Sequence, residues 1–245
     1  MMEISFYHEE PFEISNEIIN VLYETDIAVN MATSKYNIDQ IDDLGHERGN
    51  IDIWPVFPKF KHLLLSISTG TYWITKDNLK ELDQYIDLAK KINSNYLILD
   101  LEVLPIWKDQ FGEGLTNLVD KIHENGIKVK VTTTPQTPLE ILPKNSDLIS
   151  MQTYSHLSYW TGKLEDRVNL AKKDYEILTK TFPENEIGLD IGGLNLDSLP
   201  FLKKMCSVEQ PKRILSEIET CKSLGVDKVS IYDLRGALEF INAFE

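Results

Sequence analysis

The chain alternates, almost from end to end, between short aliphatic or β-branched runs and longer stretches of helical periodicity. No other feature limits its possible folds as much. Eight runs read as strands: EISFY (3–7), DIAVNM (26–31), HLLLSI (62–67), YLILDLE (96–102), KVKVTT (128–133), LISMQTY (148–154), IGLDI (187–191) and KVSIY (228–232). Between them, three sets of apolar residues fall at the spacing of a helix with one buried stripe. They are Leu79, Leu82, Ile86 and Ala89; Leu115, Leu118, Val119 and Ile122; and Val168, Ala171, Tyr175 and Leu178. Gly126 in ENG and Gly225 in SLG stand where helices close on a left-handed residue, and Pro211 suits the first turn of the last long helix. No linker or low-complexity segment interrupts the series, so residues 1–245 are expected to form a single domain.

Repeated strand–helix units fit either a (β/α)8 TIM barrel or a doubly wound open sheet, and the pleat chooses between them. In the fourth run Leu97, Leu99 and Leu101 share one face, while Ile98, Asp100 and Glu102 share the other. In the sixth, Ile149 and Met151 oppose Ser150, Gln152 and Tyr154. In the seventh, Leu189 and Ile191 oppose Gly188 and Asp190, and in the eighth Val229 and Ile231 oppose Ser230 and Tyr232. An open sheet covered by helices on both sides would be apolar on both. One greasy face and one that turns polar toward the strand's C-terminal end predict an α/β fold, a (β/α)8 TIM barrel with a polar mouth. Lys130 is the awkward residue: this pleat points it inward, where it must meet an acid or else betray a shifted register.

Composition narrows the function. A formal net charge of -14 argues against a nucleic-acid partner, whose phosphates need clustered Lys and Arg. No run of about eighteen apolar residues is present to span a membrane. The start, MMEISFYHEE, is acidic and lacks a secretory pattern, so a cytoplasmic or phage-associated location is expected. Cys206 and Cys221 form no metal-binding spacing and read as reduced, structural residues, Cys221 on the apolar side of a helix. No zinc site is expected, and oligomeric state is not legible.

Asp100 and Glu102 are the residues that demand chemistry. At i and i+2 on one strand they leave on the same face, at the end of the barrel where such enzymes carry their sites. Two carboxyls this close resist joint ionisation, so one is expected to hold its proton and serve as a general acid, as in cleavage of a glycosidic bond. A structural ion pair or a loop cap is the plain alternative for such a D-x-E.

Other strand ends add to the pair: LLLSIST on the third run, NYLILDLE on the fourth, QTYS on the sixth, Tyr7 closing the first and Tyr232 closing the eighth. Together these resemble a family-18 glycoside hydrolase, the chitinase and endo-β-N-acetylglucosaminidase family, over nearly the whole chain. That family's fourth-strand signature, D-G-x-D-x-D-x-E, keeps its last two acids here as Asp100 and Glu102. Its third-strand S-x-G-G keeps Ser66, and its sixth-strand M-x-Y-D or Q-x-Y-N keeps Gln152 and Tyr154.

The resemblance implies a hydrolase acting on oligosaccharides or polysaccharides with β-linked N-acetylglucosamine. Glu102 would be the general acid, and the substrate's own acetamido oxygen the nucleophile. Asp100 would hold the acetamido N–H, Tyr154 would orient the acetamido oxygen, and Tyr232 would floor the sugar ring. Tyr7, Ser66 and Gln152 would complete the substrate-binding set, and Asp190, from its place on the mouth-facing side of the seventh run, is expected either to bind sugar hydroxyls or to bond a loop. The glycines that follow Ser66 in the family are absent, and two residues depart from the acid pattern: Ile98 replaces the inner acid, and Ser155 stands where an acid or amide is usual. They motivate a second reading, a sugar-binding pseudoenzyme on the same barrel. A muramidase-like hydrolase, which also carries a D-x-E on its barrel, is a third.

Overall fold

Parallel neighbours need a crossover between them, and α-helices supply four of these among the described residues. The computed structural model describes residues 3–8, 28–33, 63–68, 79–91, 94, 96–101, 112–156, 164–192 and 210–232. Within them the strands are β1 (Glu3–His8), β2 (Ala28–Thr33), β3 (Leu63–Ser68), β4 (Tyr96–Leu101), β5 (Lys128–Thr133), β6 (Leu148–Gln152), β7 (Glu186–Gly192) and β8 (Lys228–Tyr232). Each pairs in parallel with the next, and β8 pairs with β1, closing the barrel. That last pairing excludes the open sheet. Four α-helices lie among the described residues: α1 (Leu79–Lys91), α2 (Gly112–Glu124), α3 (Leu164–Thr181) and α4 (Gln210–Leu224). None is long and apolar enough to cross a membrane.

The pleat sorts the side chains as their alternation predicts. Leu97, Leu99, Leu101, Val129, Val131, Ile149, Met151, Leu189, Ile191, Val229 and Ile231 belong to one buried cluster with the helix stripes. Those stripes include Leu82, Ile86 and Ala89 of α1, Leu115, Val119 and Ile122 of α2, Ala171 and Leu178 of α3, and Ile218 and Cys221 of α4. Each full burial of such a Leu, Ile or Val contributes roughly 1.5–3 kcal/mol, so this layer dominates stability. Ile98 stands apart from it, with Tyr96 packed against it, because it points the other way, into the barrel. Around that interior Lys130, Thr132, Ser150, Gln152, Asp190 and Ser230 are all buried, so from β5 to β8 the described interior is polar where the outer layer is greasy.

Helix ends follow the sequence signals. Gly126 and Gly225 have φ of 74° and 79°, a left-handed conformation that costs a glycine nothing sterically. After α2, Gly126 N–H donates to His123 O at 2.8 Å and Ile127 N–H to Ile122 O at 3.5 Å. After α4, Gly225 N–H donates to Lys222 O at 3.1 Å and Val226 N–H to Cys221 O at 3.0 Å. These are Schellman closures, and the buried Ile127 and Val226 supply their apolar contact. Cys221 is fully buried on α4, as its helical position predicts, while Cys206 lies outside the described residues.

The barrel's N-terminal end is tied by side chains. Asp147 Oδ2 accepts the Val129 N–H at 2.7 Å and faces His123 Nε2 at 2.8 Å. Asn185 Nδ2 donates to the Ser146 and Lys144 carbonyls at 2.5 and 3.2 Å. Such bonds at this end serve the scaffold and leave the opposite end to chemistry.

Candidate functional site

Asp100 is the penultimate residue of β4, opposite Ser68 of β3 and Thr132 of β5. It is half-buried at the C-terminal end of the barrel. Gln152 ends β6 and is almost wholly buried, and its Nε2 donates to Asp100 Oδ1 at 2.7 Å. A carboxylate accepts only, so the amide must turn its NH2 toward it, which fixes the orientation of Gln152. The next carbonyl is pinned as well. Leu101 O accepts the hydroxyls of Thr133, at the end of β5, and Thr137, in the loop beyond it, each at 3.1 Å. Thr134 and Thr137 hydroxyls lie 3.1 Å apart, joining that loop to itself. The peptide that leads from Asp100 toward Glu102 is therefore anchored from its β5 side.

Tyr154 follows Gln152 on a single 3-10 turn, Thr153–Ser155, and is half-buried. The strand run expected to reach Tyr154 stops at Gln152 instead. Thr153 Oγ1 donates to Asp174 Oδ2 of α3 at 2.8 Å, and the His156 N–H donates to Thr153 O at 3.2 Å, so the chain curls here rather than extends.

Beneath Asp100 and Gln152 lies a buried charge pair. Lys130 Nζ donates to Asp190 Oδ1 at 3.1 Å and to Ser230 Oγ at 2.7 Å, and Ser150 Oγ donates to the same Asp190 oxygen at 2.5 Å. The inward Lys130 has thus met its acid, and the register stands. Asp190, expected to meet substrate, has no exposed surface and turns Oδ1 to Lys130 and Ser150. Gly188 leaves room for this arrangement, since a Cβ there would lie 3.1 Å from both Ser150 Oγ and Lys228 O. Ile98 is fully buried opposite Lys130 on the neighbouring strand.

The remaining expected site residues are placed less fully. Tyr7 and Tyr232 are register partners where β1 meets β8, and Ser66 lies opposite Ile98 where β3 meets β4; for these three only the backbone is described. Glu102 lies outside the described residues, and for Ser155 the description again covers backbone alone. Among the described residues no group of three or more His, Cys, Asp or Glu side chains could hold a metal ion. Reasoning from sequence passed over Thr133, Thr137, Thr153, His156 and Asp174. The run TTTPQT, which spans the end of β5, was a usable signal, with hydroxyls gathered at the mouth end of a strand. Asp174, inside a helical stretch, carried none.

Compared by sequence, the chain matches no protein-family model and no curated protein. Solved structures match it by shape. A GH18 chitinase from Pseudoalteromonas aurantia superposes with a TM-score of 0.61 at 13% identity, over 94% of this chain and 93% of that one. The Bacillus cereus spore cortex-lytic enzyme SleL gives 0.63 at 12% identity, over 95% and 71%. An endo-1,4-β-D-mannanase from Thermotoga petrophila gives 0.63 at 10% identity, over 95% and 88%. The chain has the TIM-barrel fold found in these glycoside hydrolases, family-18 chitinases included. Mannanase and chitinase fit it about equally well, so shape alone does not choose a substrate.

Proposed function

We propose that this protein is a glycosidase of the family-18 type, cleaving β-linked N-acetylglucosamine glycans with retention and with the substrate's acetamido group as nucleophile. The observation that carries the reading is the Gln152–Asp100 hydrogen bond, which holds an acid at the mouth of a chitinase-like barrel beside the turn that bears Tyr154.

In this reading Glu102, two residues beyond Asp100 in sequence, protonates the leaving oxygen and then, ionised, activates water. Asp100 holds the acetamido N–H and balances the positive charge that develops as the oxygen attacks C1. Gln152 keeps the Asp100 carboxylate aimed, and the Leu101 carbonyl anchored by Thr133 and Thr137 limits how far the acid-bearing segment can drift. Tyr154 orients the acetamido oxygen, while Tyr7, Ser66 and Tyr232 line the sugar site. Asp190 acts one layer lower, as the counter-ion of Lys130. No step needs a metal or an organic cofactor.

Hydrolysis of N-acetylglucosamine oligomers, followed by proton NMR of the first-formed anomer, tests the reading. A β product and competitive inhibition by a thiazoline analogue of the cyclised intermediate are expected. An α product would refute the retaining mechanism. The pseudoenzyme reading draws on one specific observation, the fully buried Ile98 where the family resemblance calls for an acid. Oligomer binding with no cleavage at any pH would favour it, and cleavage of peptidoglycan but not chitin oligomers would favour the muramidase-like alternative.

A further inference from the structure

The helix behind the sixth strand carries a buried acid that no step of the proposed reaction uses. Asp174 lies within α3 and is 2% exposed. A carboxylate so dry costs several kcal/mol unless it is answered, and this one is answered twice. Its Oδ2 accepts the Thr153 hydroxyl at 2.8 Å, and both of its oxygens lie 3.1 Å from His156 Nε2. An ionised carboxylate only accepts, so the imidazole N–H is the donor. Thr153 opens the 3-10 turn and His156 caps it, with the His156 N–H closing on Thr153 O at 3.2 Å. A single carboxylate thus grips the turn on both sides of Tyr154.

We propose that Asp174, acting through Thr153 and His156, is a positioning residue for Tyr154, setting how firmly the tyrosine meets the substrate's acetamido oxygen. This rests on the reading of Tyr154 given above. A turn held only by its backbone could swing the phenol by an ångström or so, and displacements of that size cost up to roughly a hundredfold in rate. A turn tied to α3 at both ends cannot.

The test combines Asp174→Ala, which removes both acceptors, with Asp174→Asn, which keeps one oxygen for the Thr153 hydroxyl. On N-acetylglucosamine oligomers, Asp174→Ala is expected to lower kcat by about 10- to 100-fold with little change in KM, and Asp174→Asn to recover part of the loss. In a Tyr154→Phe background the Asp174→Ala change should add nothing, because the group it positions is gone. An activity-independent readout is the 19F resonance of 3-fluorotyrosine placed at position 154, which Asp174→Ala should shift and broaden. Should Asp174→Ala fail to fold, Thr153→Val replaces it. An unchanged 19F resonance, or a kcat loss that is fully additive with Tyr154→Phe, overturns the proposal. If Tyr154→Phe alone leaves kcat intact, the role given to Tyr154 fails instead, and the 19F measurement still decides whether Asp174 holds it.

Discussion

Gln152 on β6 donates to Asp100 on β4 at 2.7 Å, so two strands that are not neighbours are joined across β5 at the barrel mouth. Alternate strands share an interior layer in this architecture, which is why the two side chains can meet although 52 residues separate them. The layer below repeats the device, with Lys130 of β5 reaching Asp190 of β7. The mouth is therefore a stack, an aimed acid above and a neutralised pair beneath.

Removing the amide should cost rate rather than fold. Gln152→Met keeps the volume but not the donor. A hydrogen bond to a charged group is worth about 1.5–3 kcal/mol, so kcat/KM on chitin oligomers is expected to fall roughly ten- to a hundredfold. Steady-state kinetics with a thermal melt as control checks this.

The buried pair should respond to single and double substitution in opposite ways. Lys130→Met strands a charged Asp190 within the barrel and is expected to cost about 3–5 kcal/mol of stability. Adding Asp190→Asn removes the stranded charge, so the double variant should be more stable than Lys130→Met alone. Urea unfolding midpoints at neutral pH measure both.

Thr133 and Thr137 give a third expectation. Both hydroxyls end on Leu101 O, so Thr133→Val with Thr137→Val leaves a strand-end carbonyl without either. The pair should lower kcat by more than it lowers the melting temperature, since the segment freed is the one that leads to Glu102. Paired kinetic and calorimetric measurements separate the two effects.

Stability at high pH should carry the mark of Cys221. Burial first, and the charge of Glu217 second, push its thiol up from 9.0 to about 12. The folded state thus holds a proton that the unfolded chain releases. The stabilisation is complete below about pH 9 and is lost as pH rises toward about 12. Cys221→Ala should flatten that part of the stability curve. In a Cys206→Ser background, the native protein should resist thiol reagents at pH 8 and react once unfolded.

The architecture was legible because it rests on local periodicity. KVKVTT and KVSIY mark β5 and β8 to the residue, and the opposed faces of β4 separate the outer core from the interior before any strand is paired. What depends on distant partners was not legible. Lys130 could be seen to point inward, but its acid lies 60 residues on. The sixth run reads as strand through Tyr154, yet the chain turns after Gln152 because Thr153 bonds to Asp174, 21 residues away on a helix. Asp190 read as a ligand for sugar hydroxyls from its place near a strand end, and nothing local reveals that Lys130 and Ser150 engage it.

The most direct test of the whole account is the Glu102→Gln variant, assayed on N-acetylglucosamine oligomers beside wild type, with oligomer affinity measured by calorimetry. The account predicts that hydrolysis falls by about 10²–10⁴-fold, the scale of a lost general acid, while affinity stays within a few-fold of wild type. Hydrolysis by Glu102→Gln at the wild-type rate would contradict it.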